Sequence, residues 1–530
     1  MTEQNEQPLP PRTIDFRPHA EELRTLAQTW TQSSLFARLD PDGIAVIAPH
    51  GQRTFAQLHA HANRLSNWFR AHGLVPGDAV ALLCRNRAEF IEVLLATLRS
   101  GLRLTPINSH ITHEEARYIV QDCGARALVV EDSLDAPCLA FDGLCRLVID
   151  GVGPENYAEG LAGSDVRVLQ PPQAGTLMLY TSGTTGRPKG VFSGRPDVVE
   201  PQFAGTLVNY RPGDMAMCCG PAYHAAPLLS DIRWPLASGV PILMIEKWDS
   251  QQVLKLMAQH RVSHAHMVPT MFQRLLALEP TIRTSFDLSA LRFLVHGAAP
   301  CPVELKRAMI DWVGPVLYEY YAATEGGNDL LVDSHQWLLK PGTVGQVNPA
   351  LGTCILDDSG QEVGPGVIGR VYFAAPAVGR FEYYRDPEKT AATYEGNRFT
   401  LGDMGYVDAD GFLFLTGRAA ECIISGGVNI YPVEVDQTLL RHPAVREICT
   451  VGAPDDEWGE RVVAVVVVAP GYTPNHKLAA ELTAFAAQHL ARFKCPRQIV
   501  FDTALPQTAT GKLLRNQVRQ RFWQGRDKAI

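Results

Sequence analysis

The sequence predicts an α/β fold: a large N-terminal α/β unit with a β-rich end from about residue 345, followed by a small α+β unit. Three observations point there. Strand-like apolar runs alternate with helical periodicities in the first part of the chain, the rhythm of βαβ units and a largely parallel sheet. From Gly345 onward Gly, Pro and Asp become frequent and the strands short, as in Gly369-Arg370-Val371-Tyr372-Phe373. After Arg418 a β-branched run (Val462 to Val468), an amphipathic helix (Leu478 to Leu490) and a Gly/Thr-rich loop (Gln507 to Lys512) make a smaller unit.

In chain order, Phe55, Leu58, Ala62, Leu65 and Phe69 recur at spacings of three and four, one face of a helix. Gly77 punctuates, and Ala79 to Cys84 reads as a buried strand. A second helix fits Phe90 to Leu98, ended by Gly101, and a strand fits Ala127 to Val130. The rhythm returns with a helix over Gln252 to Gln259, a strand over His264 to Val268, a helix over Met271 to Leu278 and a strand over Leu291 to Val295. The break near Gly417 to Glu421 divides the chain into 1–417 and 418–530.

The chain has 530 residues, 46% hydrophobic and 20% charged, with net charge −8. That is a globular composition, and the negative balance without any basic run argues against a nucleic-acid partner, whose binding needs clustered Lys and Arg. The 11 cysteines are scattered, with no zinc spacing, and read as reduced thiols of a cytoplasmic protein. The polar, Pro-rich N-terminus lacks a signal-peptide pattern, and the longest apolar run, Val462 to Ala469, is too short to cross a membrane.

The most specific string is Tyr180-Thr181-Ser182-Gly183-Thr184-Thr185-Gly186-Arg187-Pro188-Lys189-Gly190, led by the apolar Leu177 to Leu179. A strand opening into small residues and glycines lets backbone N–H groups approach phosphate oxygens. The hydroxyls add donors and Lys189 adds charge. The spacing is not that of a Walker A loop. A GxGxxG spelled by Gly364, Gly366 and Gly369 contains Pro365 and leads into a strand-like run, so it is not a dinucleotide fingerprint.

Four further strings follow in order: His296-Gly297-Ala298-Ala299-Pro300, Tyr321-Ala322-Ala323-Thr324-Glu325, Asp403 with Arg418 in Thr416-Gly417-Arg418, and Pro506-Gln507-Thr508-Ala509-Thr510-Gly511-Lys512. Any one alone would be an ordinary loop. Together, in this order from about residue 30 to 515, they resemble the adenylate-forming superfamily of acyl-CoA synthetases, aryl-CoA ligases, luciferases and peptide-synthetase adenylation domains.

The resemblance implies an ATP-dependent acyl-CoA synthetase, an acid–thiol ligase that forms acyl-AMP and pyrophosphate and then transfers the acyl group to coenzyme A. It implies ATP contacts by Thr181, Ser182, Gly183, Thr184, Thr185, Gly186, Lys189, Gly297, Ala298, Ala299, Tyr321, Thr324, Asp403 and Arg418. Tyr321 would stack on adenine and Asp403 take the ribose hydroxyls. Glu325 would hold Mg²⁺, and Lys512, with Thr184, Glu325 and His224, would serve catalysis, His224 by its place in the gate-like Pro221-Ala222-Tyr223-His224. Ser425, Gly426, Gly427 and Trp458 would line the coenzyme A side, and the small C-terminal domain would be mobile. The usual hinge position holds Ala420, followed by Glu421, so the hinge residue departs from the family's pattern.

The string from Cys301 to Glu325 resembles fatty-acyl and steroid-side-chain synthetases more than acetate enzymes, which implies a medium- or long-chain fatty acid or a bulky steroid-type carboxylate. Ala225, Ala226, Ala298, Ala299, Ala322 and Ala323 are all small and would make the pocket roomy if several line it. An aryl-carboxylate CoA ligase and a stand-alone adenylation enzyme with a carrier-protein acceptor are the alternatives. A luciferase-like oxidase and a nucleotide-binding protein without turnover share parts of the pattern. The partners expected are ATP, coenzyme A and a small carboxylate, with a homodimer left open. Lys512 is also a candidate for regulatory acetylation.

Overall fold

The computed structural model describes residues 14–181, 188–348, 352–425, 428–455, 457–508 and 511–524. The helix read from its periodicity runs Phe55–Ala71. Thr54 caps it: its side chain accepts from the Gln57 backbone N–H while Gln57 reaches back to the Thr54 N–H. This satisfies two of the four donors a helix start leaves open. Phe55, Leu58, Ala62, Leu65 and Phe69 are all buried, against the wholly buried helix Ala88–Arg99. Each such Leu or Phe contributes about 1.5–3 kcal/mol by leaving water, so Leu65→Ala would cost about 2–5 kcal/mol once the cavity is included.

Strand Ala79–Leu83 is buried throughout, the continuous apolar run expected of a parallel strand covered on both faces. It sits inside a seven-stranded sheet with strands Arg103–Pro106, Ala125–Glu131 and Cys145–Ile149, all parallel, and with Thr176–Thr181 beyond Arg103–Pro106. The antiparallel strands Lys189–Phe192 and Glu382–Tyr383 complete that edge.

An eight-stranded sheet has six parallel strands at its centre, ending in His264–Met267, Phe293–His296 and Leu317–Ala323, with antiparallel strands at both edges. A third sheet, from Gly345–Gln346 to Phe412–Arg418, is antiparallel, which is the β-rich end. A five-stranded sheet spans Ile423–Ser425 to Gln498–Asp502, built on the long hairpin of Val445–Asp455 and Gly459–Val468. The α/β class, with a large N-terminal and a small C-terminal part, is the one expected.

Several boundaries differ from the sequence expectation by one or two residues, and two of them have a local cause. The helix expected from Met271 starts at Pro269, because proline needs no N–H partner in a first turn. The strand expected from Leu291 is Phe293–His296, because Leu291 closes a turn onto Leu288. Gly369 opens strand Gly369–Ala374 and no helix, so the GxGxxG spelling is not a dinucleotide loop. All 11 cysteines are free thiols. Among the described residues no helix is long and apolar enough to cross a membrane.

Strand Phe412–Arg418 passes into the C-terminal sheet through one turn of 3₁₀ helix, Ala419–Glu421. The C-terminal part rests on helix Pro269–Leu276. Gln273 Nε2 donates to the Arg446 carbonyl at 2.8 Å. Gly511 approaches Thr270 so closely that a Cβ there would fall 2.3 Å from its Oγ1. With φ +77°, Gly511 also adopts backbone that side-chain-bearing residues avoid.

Candidate active site

In open α/β sheets a ligand crevice forms beyond the carboxyl ends of the parallel strands, and the predicted residues collect at that edge of the eight-stranded sheet. Strand Phe293–His296 leads into Gly297 and Ala298. A Cβ on Gly297 would lie 2.6 Å from the Tyr320 ring and 2.8 Å from its carbonyl oxygen, so only glycine fits. Ala298, exposed, takes a left-handed φ of 64°, a cost of about 1–2 kcal/mol for an L-residue. His296 is buried on the opposite face of its strand, 3.8 Å from Glu319, which pairs with Lys306 at 2.7 Å. It is a core residue and not part of the crevice.

Strand Leu317–Ala323 turns at Thr324 and Glu325 into Gly326–Asp333. The Tyr321 hydroxyl donates to Asp403 Oδ2 at 2.6 Å, and Arg418 Nε donates to Asp403 Oδ1 at 3.1 Å. Asp403 and Arg418 are cross-strand partners in the antiparallel sheet. Burial first, then the Asp403 charge, pushes the Tyr321 phenol well up, so it stays a donor.

The phosphate string begins as strand Thr176–Thr181 and resumes as Lys189–Phe192, with Thr181 paired to Lys189. Ser182, Gly183, Thr184, Thr185 and Gly186 lie outside the described residues. Lys189 Nζ reaches Asp386 Oδ2 at 3.0 Å. Tyr383, opposite Val191 on the neighbouring strand, donates its hydroxyl to Glu325 Oε1 at 2.9 Å. Lys389 Nζ lies 4.0 Å over the Tyr383 ring. Desolvation first, then Lys189, pulls the Lys389 ammonium below the ordinary lysine value. Two cations, Lys189 and Lys389, and two carboxylates, Asp386 and Glu325, thus gather where the string resumes.

Sequence reasoning missed Tyr383, Asp386 and Lys389. The Asp386-Pro387 pair announces a capped helix, and Asp386 does cap Pro387–Thr393, but nothing local says that this helix stands beside Lys189.

Lys512 follows Gly511 on the loop docked against Thr270. It is exposed, yet desolvation and then Arg418 lower its ammonium, against Asp403, Glu421 and Glu325, which raise it. Crowded by charged groups yet open to water, it lines a cleft. On the far side His224 is pulled down to about 4 by burial, then by His110 and Lys512, so its ring is neutral. Ala225, Ala226, Ala299, Ala322 and Ala323 are partly exposed near this edge.

Ser425 pairs with Gly459, the neighbour of Trp458, so two of the expected coenzyme A residues lie close together at one end of the C-terminal sheet. Trp458 is exposed, with the Arg497 guanidinium 5.0 Å over its ring. Gly426 and Gly427 lie outside the described residues.

Comparison with known proteins identifies the family. Residues 35–384 match the AMP-binding enzyme family and residues 434–512 the AMP-binding enzyme C-terminal domain. The chain is 32% identical to the fatty acid–[acyl-carrier-protein] ligase ScoC of Streptomyces coeruleorubidus, over 96% of this chain and 98% of that one. It is 33% identical to a feruloyl-CoA synthase of an Amycolatopsis species, over 92% and 97%. Among solved structures it resembles the anthranilate CoA ligase AuaEII in complex with anthranoyl-AMP, with TM-score 0.81 and 25% identity over 92% of this chain and 96% of that one. With both family segments matched in order over a shared fold, the chain belongs to the AMP-binding enzymes, the adenylate-forming superfamily, and is an enzyme of the acid–thiol ligase class.

Proposed function

We propose that the protein is an ATP-dependent acyl-CoA synthetase working in two half-reactions at this one cleft. The observation that carries the reading is the docked Lys512 loop, which brings an ammonium under the influence of Glu325, Asp403 and Arg418 from three other segments. In the first half, a carboxylate oxygen bonds to the α-phosphorus of ATP and the bond to pyrophosphate breaks. Negative charge builds on the phosphate oxygens, and Lys512, Lys189 and Lys389 are placed to stabilise it. Tyr321 and Ala298 bound the adenine side, and Asp403, with lone pairs for two donors, suits the ribose diol. Thr181 and Thr324 offer hydroxyls to the phosphates, as Thr184 would.

Glu325 fits Mg²⁺, a hard cation that takes one or two carboxylates and completes its shell with substrate phosphates and water. The ion would neutralise phosphate charge, and Glu325 would hold it with Tyr383 fixing the carboxylate's orientation. The neutral His224 would stand beside the substrate carboxylate as a gate and a hydrogen-bonding ring.

In the second half, the coenzyme A thiol sulfur bonds to the acyl carbonyl carbon, the bond to AMP breaks and the thiol proton passes to water. One cleft serves both steps if the part from 418 to 530 turns about Ala419–Glu421, withdrawing Lys512 and presenting the edge of Ser425, Gly426, Gly427 and Trp458. The substrate class we favour is a medium- or long-chain or bulky carboxylate, in line with the small side chains at the strand ends. The similarity to ScoC supports a second reading, in which the thiol belongs to a carrier protein's pantetheine arm.

Acid-dependent exchange of labelled pyrophosphate into ATP, measured without any thiol, tests the first half. Exchange is expected with the true substrate, and its absence with every acid that yields a thioester would defeat the adenylate mechanism.

A further inference from the structure

Beside His224 the strands of the eight-stranded sheet alternate. Ala265, Met267, Leu294 and Leu317 pack into the core on one face of the eight-stranded sheet, while Phe293 and Val295 turn to the other with His264, His266, Tyr318 and Tyr320. A short π-helical stretch, Leu228–Arg233, packs on that second face, four residues after His224. Here an apolar lining would be expected for a plain hydrocarbon chain. Instead polar groups stand among the apolar ones.

Asp231 is 2% exposed. Its Oδ1 accepts from Ser230 Oγ at 3.2 Å, and among the described residues its Oδ2 has no hydrogen-bond partner. The backbone N–H of His266 faces the same carboxyl. His266 Nε2 and the Tyr320 hydroxyl lie 3.1 Å apart. The Tyr210 hydroxyl, buried near Asp231, is likewise without a partner among the described residues. Leaving a buried polar atom unsatisfied costs about 1–3 kcal/mol, and the open Asp231 Oδ2 calls for an occupant that bonds to it.

We infer that the acyl pocket takes a carboxylic acid bearing a neutral hydrogen-bonding group, a hydroxyl, on its body, recognised by Asp231, His266 and Tyr320. The inference rests on the ligase reading above and deepens it. Burial pushes Asp231 well above the usual carboxylate range, toward the protonated form that can donate. Burial, then His224, pulls His266 down to about 3, so its ring is neutral. With no cation in the set, a second carboxylate on the substrate would be left unpaired, at heavy cost. A hydroxyl can both donate and accept, which matches a protonated acid beside a His–Tyr pair. A pocket that bonds a substrate hydroxyl rejects the analogue lacking it far more strongly than an apolar pocket rejects a missing methylene.

The test compares acids that differ by one hydroxyl, stepped along fatty, aryl and steroid skeletons, scored by kcat/KM for AMP release. The wild-type protein should prefer the hydroxylated partner by at least about tenfold at one position on the skeleton. That ratio should fall toward one in Asp231→Leu and in His266→Leu, and persist in Asp231→Asn, which keeps the hydrogen bonds. A ratio, unlike a rate, is unmoved by general loss of folded protein, and binding of ATP confirms that each variant is folded. Equal use of both partners at every position would overturn the inference. So would an unchanged ratio in both leucine variants, or a preference for an ammonium-bearing acid. AMP release from no acid at all would instead defeat the ligase reading, and this inference with it.

Discussion

Tyr321 and Asp403 stand 82 residues apart in sequence and meet through one hydrogen bond of 2.6 Å, donated by the phenol. The second carboxylate oxygen is held by Arg418. The bond ties the main strand of the crevice to the antiparallel sheet, so the side chain expected under adenine and the one expected on ribose are set by each other. Hydrogen bonds to a charged partner are worth about 1.5–3 kcal/mol. Asp403→Ala is therefore expected to raise the KM for ATP by about 10- to 100-fold, and Tyr321→Phe by less, in steady-state kinetics. An unchanged KM in Asp403→Ala would remove Asp403 from the nucleotide site.

Lys512→Ala should lower acid-dependent pyrophosphate exchange by about 10²–10³-fold, the usual loss for one preorganised charge at a developing anion. Thioester formation from supplied acyl-AMP should fall far less. The ammonium is the active form and is held below the ordinary lysine value, by desolvation and then Arg418. Exchange should therefore decline on the alkaline side before a free lysine would titrate, and this limb should be missing from the residual activity of Lys512→Ala.

His224 gives the opposite expectation. Burial keeps its ring near 4, so it is neutral, and unchanging, across about pH 6–9. His224→Gln should leave the shape of the pH–rate profile intact over that range, whatever it does to the rate. An inflection near neutrality that vanishes in this variant would mean that His224 carries a proton in the reaction.

Lys389 faces the phosphate string with no carboxylate in ion-pair contact among the described residues, while Lys189 is paired to Asp386. Lys389→Gln should weaken product inhibition by pyrophosphate several-fold more than inhibition by AMP, with Lys389→Arg restoring most of it. Equal effects on both products would place the lysine outside the phosphate site.

Beneath the crevice, Lys306 and Glu319 form a buried pair at 2.7 Å, with the ammonium 4.8 Å over the Trp337 ring. Burial lowers the lysine and raises the glutamic acid, both against ionisation, so the pair adds little net stability while either partner alone is costly. Lys306→Met should lose about 3–5 kcal/mol in denaturant unfolding. Lys306→Met with Glu319→Leu should recover most of it.

Much of this was readable before any coordinates. The period of Phe55 to Phe69, the apolar run at Ala79 and the β-branched run after Glu460 each carry their structure locally, because burial on one face or two sets the residue pattern. The five strings stood out because their small residues and charges come in one order along the chain, enough to mark the family. Partnership across the chain was not. That Tyr383 orients Glu325, that Lys389 stands beside Lys189, and that Asp231 sits behind His266 and Tyr320 depend on which strands lie side by side. No periodicity within a strand reports its neighbours. Helix Pro269–Leu276 begins ahead of its apolar periodicity for a local reason, since proline is well suited to a first turn.

The central claim, one cleft that makes an adenylate and then a thioester, is tested most directly by mass spectrometry of AMP and acyl-CoA together. Wild type and Lys512→Ala would each be incubated with ATP, Mg²⁺, coenzyme A and a panel running from acetate through long fatty acids to aryl and steroid acids. The account predicts AMP and thioester in equal amounts with the preferred acid, both lost in Lys512→Ala. Acid-dependent AMP without any coenzyme A thioester would contradict it and send the acyl group to another acceptor.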